Sequence, residues 1–298
     1  MRRHGGMVLI AGLLLALPGC TAKPIAGDGN LVDDWRAVLE ATVAPPPAAA
    51  CYTAPAGQAS GIAVTGLPAV ACTEEHAVET FKVAELPADI AGLPSVPAPD
   101  SAEARLLFAD CEHSAKQFLG DEWFTGRLYL YAGLPSTRHW DGGARYYRCD
   151  LAETKSLRQT LVPRSGSLKG TLTDRKPLAA TCYEYVDVTD GAAADLASVD
   201  CQKPHDAEFA GTFLPTGETM PAEGTAQEDV GFAGCEDVVA GYLGGAKESI
   251  LVGVLYWGFS ARDWARGDRR LRCYATAPEG KRMLDSVKGI GNGVPQFG

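Results

Sequence analysis

The chain has 298 residues, of which 46% are hydrophobic and 21% are charged, and its formal net charge is −10. This length and composition predict a folded protein of roughly two domains. The excess of acidic residues argues against binding to nucleic acid and against broad contact with anionic lipid surfaces.

The N-terminus has the pattern of an export signal. Two arginines precede the short apolar run Met7–Leu17, which favours a signal peptide over a membrane-spanning helix. The following Leu-Pro-Gly-Cys20 resembles the lipobox of bacterial lipoproteins. We therefore expect residues 1–19 to be removed and lipid, palmitate included, to be attached to Cys20, which anchors the chain on the extracytoplasmic face of the cell membrane. The alternative is an ordinary secretory signal peptide that is cleaved nearby.

One pattern then occurs twice. The sequence Cys-x-x-x-His-x-x-Glu runs from Cys72 to Glu79 and again from Cys201 to Glu208. Each copy continues with a helix that carries a cysteine, an apolar run, a tryptophan nine residues before another cysteine, and a Ser-x-Lys-Gly tetrapeptide. In the first copy the helix cysteine is Cys111, the tryptophan–cysteine spacing is Trp140 to Cys149 and the tetrapeptide is Ser167 to Gly170. The counterparts in the second copy are Cys235, Trp264 to Cys273 and Ser286 to Gly289. Each unit is long enough to enclose its own core.

The repeat predicts a division of the chain into six parts. A lipidated tether has apolar residues at helical spacing over Leu31–Thr42 and ends in a proline-rich linker. Two homologous domains follow, with a short linker between them and a loose tail after them. The predicted boundaries are 1–19 for the signal peptide, 20–50 for the tether, 51–170 for repeat 1, 171–181 for the linker, 182–289 for repeat 2 and 290–298 for the tail.

Each repeat is predicted to be two strands, one main helix and two further strands. A helix packed on a small antiparallel sheet buries the apolar face of each, which is an α+β arrangement. In repeat 1 the strands are Gly61–Thr65, Val78–Val83, Arg127–Tyr131 and Tyr146–Asp150, with a helix from the Asp100-x-x-Glu103 start to Gly120. In repeat 2 a capping box at Thr225-x-x-Glu228 opens the helix, Gly244 ends it, and Ile250–Trp257 and Arg269–Ala275 are strands.

Eight cysteines remain beside Cys20, four in each repeat. An even number in an exported chain predicts two disulfides per domain. Four cysteines allow three pairings, and we expect the first to pair with the last and the second with the third. The expected bonds are Cys51–Cys149, Cys72–Cys111, Cys182–Cys273 and Cys201–Cys235. A metal site is the alternative, although the close Cys-x-x-Cys pairs of structural zinc sites are missing from the sequence.

Taken together, these motifs resemble the septum-formation domain of exported actinobacterial proteins, present here as two copies over most of residues 51–289. Repeat 2 matches the pattern in full, including Pro204 within its motif, whereas repeat 1 has Glu75 at the position of that proline. The resemblance implies a location in the cell envelope and a link to cell division. It implies no reaction, and therefore no catalytic residue.

The doubled pairs His76/Glu79 and His205/Glu208 are the candidate site. They could bind a metal or act in acid–base chemistry, because histidine is a common ligand and proton carrier. We favour a structural role, with the imidazole bonded to a turn carbonyl, the carboxylate paired with Arg145 or Arg269, and the two side chains pointing in different directions. One histidine and one glutamate are too few ligands for a closed zinc site, so no metal and no cofactor are predicted.

Two further sets of residues could bind a partner. Trp140 and Trp264 could line a ligand surface, although a core role is favoured. The basic cluster Arg262–Arg272, with Arg266 and Arg269 as its candidate contacts, could bind an anionic polymer or an acidic partner. Charges that blunt an exposed strand edge explain the cluster equally well.

These observations favour a non-catalytic binding or scaffold lipoprotein of the envelope, with a protein or cell-wall polymer as its partner. The first alternative is an extracytoplasmic metal-binding protein or hydrolase that uses His205 and Glu208. The second is a sensory ectodomain, which the sequence disfavours because no apolar run after the signal is long enough to span a membrane.

Overall fold

A computed structural model describes residues 43–54, 67–173, 176–189, 192–245 and 251–298. The predicted signal peptide, Cys20, the tether helix and the strand Gly61–Thr65 lie outside these ranges. The described residues form two antiparallel five-stranded sheets, each with one long helix and two disulfides. This confirms the predicted two-domain α+β class. Within the same ranges, no helix has both the length and the apolar character needed to cross a membrane.

The described residues of the first domain form five strands and three helices. Its strands are β1 Ala50–Tyr52, β2 Ala69–Val70, β3 Val78–Glu85, β4 Leu128–Gly133 and β5 Tyr146–Glu153. Its helices are α1 Ala88–Ala91, α2 Ala102–Leu119 and α3 Thr137–Asp141, and a 3₁₀ turn covers Trp123–Thr125. The sequence predicted two strands before the main helix, whereas the described residues there form three. Strands β1 and β2 were not predicted because they are too short to show a clear alternation.

The described residues of the second domain have the same order of strands, main helix and short second helix, but without a counterpart of α1. Its strands are β6 Cys182–Thr189, β7 Ala192–Val199, β8 Ala207–Phe213, β9 Gly253–Trp257 and β10 Leu271–Thr276. Its helices are α4 Thr225–Leu243 and α5 Ala261–Arg266.

The two sheets have the same strand order. It is β2-β1-β3-β5-β4 in the first sheet and β7-β6-β8-β10-β9 in the second. A bulge falls at the equivalent place in both, at Phe81 in β3 and at Ala210 in β8. In each sheet the strand that follows the histidine motif is therefore central, with a neighbour on both sides, and its first residues are buried.

The main helix of the first domain ends at the predicted Gly120 but begins one residue later than the predicted start at Asp100. Ser101 is its N-cap, and the serine side chain accepts a hydrogen bond of 3.1 Å from the Ala104 backbone. Gly120 ends the helix in the left-handed conformation with φ of 94°. The buried side chains recur at helical spacing and face the sheet; they are Leu107, Phe108, Cys111, Ala115 and Leu119.

The main helix of the second domain begins differently from the prediction. Its N-cap is Gly224 without a side-chain hydrogen bond, so the predicted capping box at Thr225 is wrong, while Gly244 ends the helix as expected. Phe232 on this helix is 43% exposed. Gly231 and Gly234 allow this helix to pack closely against the sheet. A Cβ at these positions would lie 2.5 Å and 2.2 Å, respectively, from aromatic rings of the sheet.

The predicted disulfide pairing is wrong, although the number of bonds per domain is right. The first cysteine pairs with the second and the third with the fourth: Cys51–Cys72, Cys111–Cys149, Cys182–Cys201 and Cys235–Cys273. The strand order gives the reason. Strand β3 lies between the strands of Cys51 and Cys149, so two inter-strand spacings, about 9–10 Å, separate them. A disulfide needs Cα atoms within about 7 Å. The same argument excludes Cys182–Cys273, which β8 separates.

The segment predicted as a linker between the repeats belongs to the core of the first domain. Leu172 and Leu178 are buried there beside Leu119 and Trp123. The backbone of Leu172 also donates a hydrogen bond to the carbonyl oxygen of Leu119, at 3.0 Å, and so covers the C-terminus of α2. The chain therefore leaves the first domain only after contributing these leucines to it.

Candidate functional site

His205 lies directly before β8 and is completely buried. Its Nδ1 is 2.8 Å from the carbonyl oxygen of Lys203, the turn-carbonyl contact that was predicted. Its Nε2 is 2.9 Å from Oε1 of Glu208. Both ring nitrogens face acceptors, so the contacts are satisfied best when both carry hydrogen and the ring is an imidazolium. Burial opposes that charge, but the hydrogen bonds to Glu208 and Lys203 outweigh it and raise the pKa of His205.

Glu208 accepts hydrogen bonds from four groups around one buried carboxylate. Besides His205, the donors are the hydroxyl of Tyr242 at 2.7 Å, Oγ of Ser286 at 3.0 Å and the backbone nitrogen of Val287 at 3.1 Å. Burial alone would raise the pKa of this carboxyl. The donors, led by the His205 ring, outweigh burial and hold the pKa below its ordinary value.

The first domain holds its carboxylate in the same way but with fewer donors. Glu79 accepts 2.6 Å hydrogen bonds from Oγ of Ser167 and from the backbone nitrogen of Leu168. These two donors occupy the first two positions of the Ser-x-Lys-Gly tetrapeptide, as Ser286 and Val287 do in the second domain. The doubled tetrapeptide is therefore the clamp for the motif glutamate.

His76 differs from its counterpart on one side of the ring. Its Nδ1 bonds to the carbonyl oxygen of Glu74 at 2.8 Å, as expected for the turn. Its Nε2 is buried and has no hydrogen-bond partner among the described residues. The residue at the position of Tyr242 is Phe118, so the donor hydroxyl that Glu208 receives is missing beside Glu79. The second domain thus carries the more complete network.

Two predictions about the motif geometry are wrong. His205 and Glu208 were expected to point apart, yet their side chains form a hydrogen bond, because the histidine precedes the first strand residue Ala207 and does not follow the alternation of a strand. The expected arginine partners are also engaged elsewhere. Arg145 donates to backbone carbonyls in the first domain, and Arg269 donates at 3.3 Å to a backbone carbonyl in the second.

Ligand atoms of Cys182, His205 and Glu208 lie within 4.8 Å of one another, as do those of Cys51, His76 and Glu79. Both cysteines are in disulfides, however, and the thiolate is the form of cysteine that binds metals. One imidazole and one carboxylate remain in each group. Their chemistry fits a buried hydrogen-bond network rather than a metal centre.

The two motif tryptophans are buried in short helices that each begin at a serine N-cap. The guanidinium of Arg145 stacks over the Trp140 ring, with the Cζ atom of the arginine 4.2 Å from the centre of the ring. Trp264 donates its indole hydrogen to the carbonyl oxygen of Glu218 at 2.8 Å. Because Trp140 is 1% exposed and Trp264 is 8% exposed, these rings match the favoured core role rather than a ligand surface.

The arginine cluster lies largely at the contact between the two domains. Arg266 places its guanidinium 5.0 Å from the ring of Phe108 and 4.5 Å from the ring of Tyr129, and it donates to the Tyr129 hydroxyl. Burial raises the pKa of Tyr129 to about 12, and the nearby Arg266 offsets only part of that rise. Neither interpretation of the cluster predicted an intramolecular contact, because the sequence of one repeat does not indicate which surface of the other it meets.

A second arginine strengthens the same contact. Arg270 donates at 2.7 Å to Oε1 of Glu112, which also accepts the indole hydrogen of Trp123 at 2.9 Å. Arg272 lies 5.3 Å from the ring of Trp123. Burial raises the pKa of Glu112, and the Trp123 and Arg270 donors offset only part of that rise. Arg270, Glu112 and Trp123 therefore form one charged network across the domain boundary.

The functional residues that sequence reasoning missed were Ser167, Ser286 and Tyr242. The signal for the serines was present, because the Ser-x-Lys-Gly tetrapeptide recurs in the sequence. The tetrapeptide was interpreted as the end of each repeat and not as a contact, because nothing in the local sequence indicates that Ser286 lies beside Glu208. No comparable signal existed for Tyr242, which differs between the copies.

The fold and the site define a two-domain, disulfide-bonded α+β protein with one buried Glu-Ser clamp in each domain, which a histidine joins in the second domain. The sequence profile of the family described as septum formation matches residues 48–279 in a single stretch. The chain belongs to this family, which links it to septum formation and cell division. No curated protein sequence and no solved structure matches the chain.

Proposed function

We propose that the chain is a binding or scaffold lipoprotein of the cell envelope that acts in septum formation without catalysing a reaction. Lipid on Cys20 holds it on the extracytoplasmic face of the membrane. Its two domains are tandem copies of one unit, a proposal supported by the doubled motif and the common strand order. Its partner is an envelope protein or a cell-wall polymer.

One observation carries the non-catalytic part of the proposal. The strongest acid–base candidates, His205 and Glu208, are completely buried, and their polar atoms are engaged by the turn carbonyl, Tyr242 and the Ser-x-Lys-Gly clamp. A catalytic group must come within hydrogen-bond reach of its substrate. A substrate would have to displace several internal hydrogen bonds to reach either side chain, so the pair supports the fold.

Lipid anchoring is tested with Cys20→Ala in the full-length chain. Cells expressing the wild-type protein are fed a labelled fatty acid, and we expect label on the protein and recovery in the membrane fraction. Cys20→Ala is expected to lose the label, whereas Cys51→Ala keeps it. Equal labelling of wild type and Cys20→Ala would contradict anchoring at this residue.

The non-catalytic role is tested by rescue of septum formation in cells that lack the protein. His205→Gln keeps a polar side chain but removes the proton carrier, and His76→Gln is the matched change in the other domain. We expect both variants to rescue septation whenever their disulfides and cooperative unfolding are intact. A folded His205→Gln protein that fails to rescue, beside a His76→Gln protein that succeeds, would favour catalysis.

A further inference from the structure

Three buried side chains meet in the first domain where β1 lies beside β3. Cys51 of β1 is directly opposite Glu79 of β3 in the strand register, and His76 lies two residues before β3. The cysteine sulfur, a ring nitrogen of the histidine and a carboxylate oxygen all lie within 4.8 Å of one another. Because Cys51 is bonded to Cys72, a second sulfur lies at the same place.

The imidazole of His76 is oriented as it is in metal sites. Its Nδ1 lies 2.8 Å from the carbonyl oxygen of Glu74, a contact in which the nitrogen must be the donor. The neutral ring therefore has its lone pair on Nε2, which is buried and has no hydrogen-bond partner among the described residues. Metal-ligating histidines usually donate their other N–H to a carbonyl or carboxylate oxygen in this way, which fixes the tautomer.

The carboxylate of Glu79 also has unused capacity to accept. A carboxylate offers about four lone-pair sites, and among the described residues Glu79 uses two of them, for Ser167 and the backbone of Leu168. Glu208 in the second domain accepts from four groups, one of which is Nε2 of His205. The second group is therefore satisfied by its own side chains, whereas the first keeps a free lone pair on each of two ligand types.

The disulfide between Cys51 and Cys72 is what withholds the sulfur ligands, because the thiolate is the form of cysteine that binds metals. Cys51 is completely buried, but Cys72 is only half-buried, so a thiol from solvent can attack the Cys72 sulfur. The two disulfides that join the main helices to the sheets are completely buried and closed to such attack.

We propose that reduction of Cys51–Cys72 by a dithiol creates a zinc site in the first domain. The ligands are the two thiolates, Nε2 of His76 and one oxygen of Glu79, so reduction raises the two available ligands to the four of a tetrahedral site. Ligand atoms around tetrahedral zinc are about 3.3–3.8 Å apart, so the three atoms that now lie within 4.8 Å need only small shifts. A zinc site that depends on redox state goes beyond the role in septum formation.

The reaction balances with the dithiol as the reductant. One of its thiolates attacks the sulfur of Cys72, and Cys51 leaves as a thiolate. The second thiol of the reductant then displaces Cys72 and closes a cyclic disulfide, so two electrons pass from the reductant to the protein. Zinc binding releases the two thiol protons to solvent. Because zinc binds only the reduced form, it shifts the equilibrium towards the thiols.

Zinc affinity tests the ligand set. Full-length protein in lipid nanodiscs is reduced with dithiothreitol, desalted under nitrogen and titrated with zinc against a chelating dye. We expect the reduced wild type to bind one zinc ion and the oxidised protein to bind none. Reduced His76→Gln should bind at least about a hundredfold more weakly, since the loss of an outer partner alone costs ten- to a hundredfold. Reduced His205→Gln is the matched control and should bind as wild type does.

Thiol protection tests the same site in wild type, and so does not depend on how any variant folds. Reduced protein is alkylated with and without zinc, and mass spectrometry measures the rate at each cysteine. The bond Cys182–Cys201 is the internal control, because Cys201 is half-buried like Cys72. We expect zinc to slow alkylation of Cys51 and Cys72 but not of the control pair.

Three results would overturn the proposal. A reduced wild type that binds no zinc would mean that the four groups do not form a site. Equal protection of both cysteine pairs, or unchanged zinc affinity in His76→Gln, would mean that a bare pair of thiols captures the metal. None of these results bears on fatty-acid labelling or on the rescue of septation, so this inference and the proposed function can fail separately.

Discussion

Tyr242 and Phe118 occupy equivalent helix positions, and this single difference separates the two buried networks. The Tyr242 hydroxyl gives Glu208 a donor that Glu79 lacks, and the second network also includes an imidazole that the first leaves unbonded at Nε2. A carboxylate removed from water is stable only when donors replace the water it has lost. Glu208 should therefore contribute more to folding stability than Glu79 does.

The first prediction concerns the two glutamates. We expect Glu208→Gln to lower the free energy of unfolding by about 3 kcal/mol, because the amide nitrogen meets donors and the imidazolium loses its counter-charge in a buried site. Glu79→Gln is expected to cost less. Urea unfolding with the disulfides intact measures both, and exposed Glu223→Gln is the control. A larger loss for Glu79→Gln would contradict the argument.

The second prediction is a pH dependence of the His205/Glu208 pair. The raised pKa of His205 gives stability that is full below its ordinary value of 6.5 and lost as the pH rises through the folded pKa. The lowered pKa of Glu208 gives stability that is present above its ordinary value of 4.5 and lost as the pH falls through the folded pKa. Their joint contribution is therefore largest between those two ordinary values.

Unfolding of wild type and His205→Asn at a series of pH values from about 5 to about 9 provides the measurement. The stability advantage of wild type should be larger at about pH 6 than at about pH 9. A difference that stays constant with pH would mean that His205 does not change its proton binding on folding. His113→Asn, at an exposed position on α2, is the matched control for the substitution itself.

At the scale of elements, the Ser-x-Lys-Gly segment joins the motif glutamate to the end of the main helix. In the second domain its serine and valine hold Glu208, while its last residue, Gly289, donates a 3.0 Å hydrogen bond to the carbonyl oxygen of Tyr242. Gly170 makes the equivalent 2.9 Å bond to Phe118. One tetrapeptide thus satisfies both a buried carboxylate and an otherwise free helix carbonyl.

The third prediction tests the turn that allows this. Gly170 and Gly289 have φ of 71° and 68°, a region that costs other residues about 1–2 kcal/mol. Added methyl groups would meet no close atom, so Gly170→Ala and Gly289→Ala should each lower stability by about that amount through backbone strain alone. Thermal unfolding measures the loss. Gly217→Ala, which has ordinary φ and a nearest contact of 3.6 Å, should be close to neutral.

The local sequence pattern was enough to predict many of the helices and strands. It was not enough to predict which distant segments pair with one another. The stop of α2 at Gly120 followed from one residue with a strong conformational preference. The disulfide partner of Cys51 depended on β3 lying between β1 and β5, a topology that no local spacing encodes. The prediction that His205 and Glu208 point apart was wrong for a related reason, because the residue at which β8 begins could not be known from the sequence.

At the scale of the whole molecule, the two domains share backbone as well as side-chain contacts. Leu157 of the first domain donates a 3.0 Å hydrogen bond to the carbonyl of Leu196 in the second, and Ser198 donates one of 2.8 Å to Lys155. Together with the arginine contacts, these bonds join the two domains, and residues 48–279, which the family profile matches, include both sides of the contact.

The fourth prediction is that the Arg270–Glu112 pair couples the two domains in unfolding. Each side chain is less than a quarter exposed, and the pair is a charge-assisted hydrogen bond, for which we expect a coupling free energy of about 2 kcal/mol. Arg270→Met and Glu112→Gln, alone and together, form the double-mutant cycle, and glutamine leaves an acceptor for Trp123.

Calorimetry should show one cooperative transition for wild type and two separated transitions for the double variant. The pair Lys116–Glu122 lies within the first domain, so Lys116→Met with Glu122→Gln should leave a single transition. If the Arg270 cycle gave no coupling and the double variant kept one transition, cohesion would have to come from the backbone bonds and the stacked rings, and the charged network would serve only to fix how the domains are oriented.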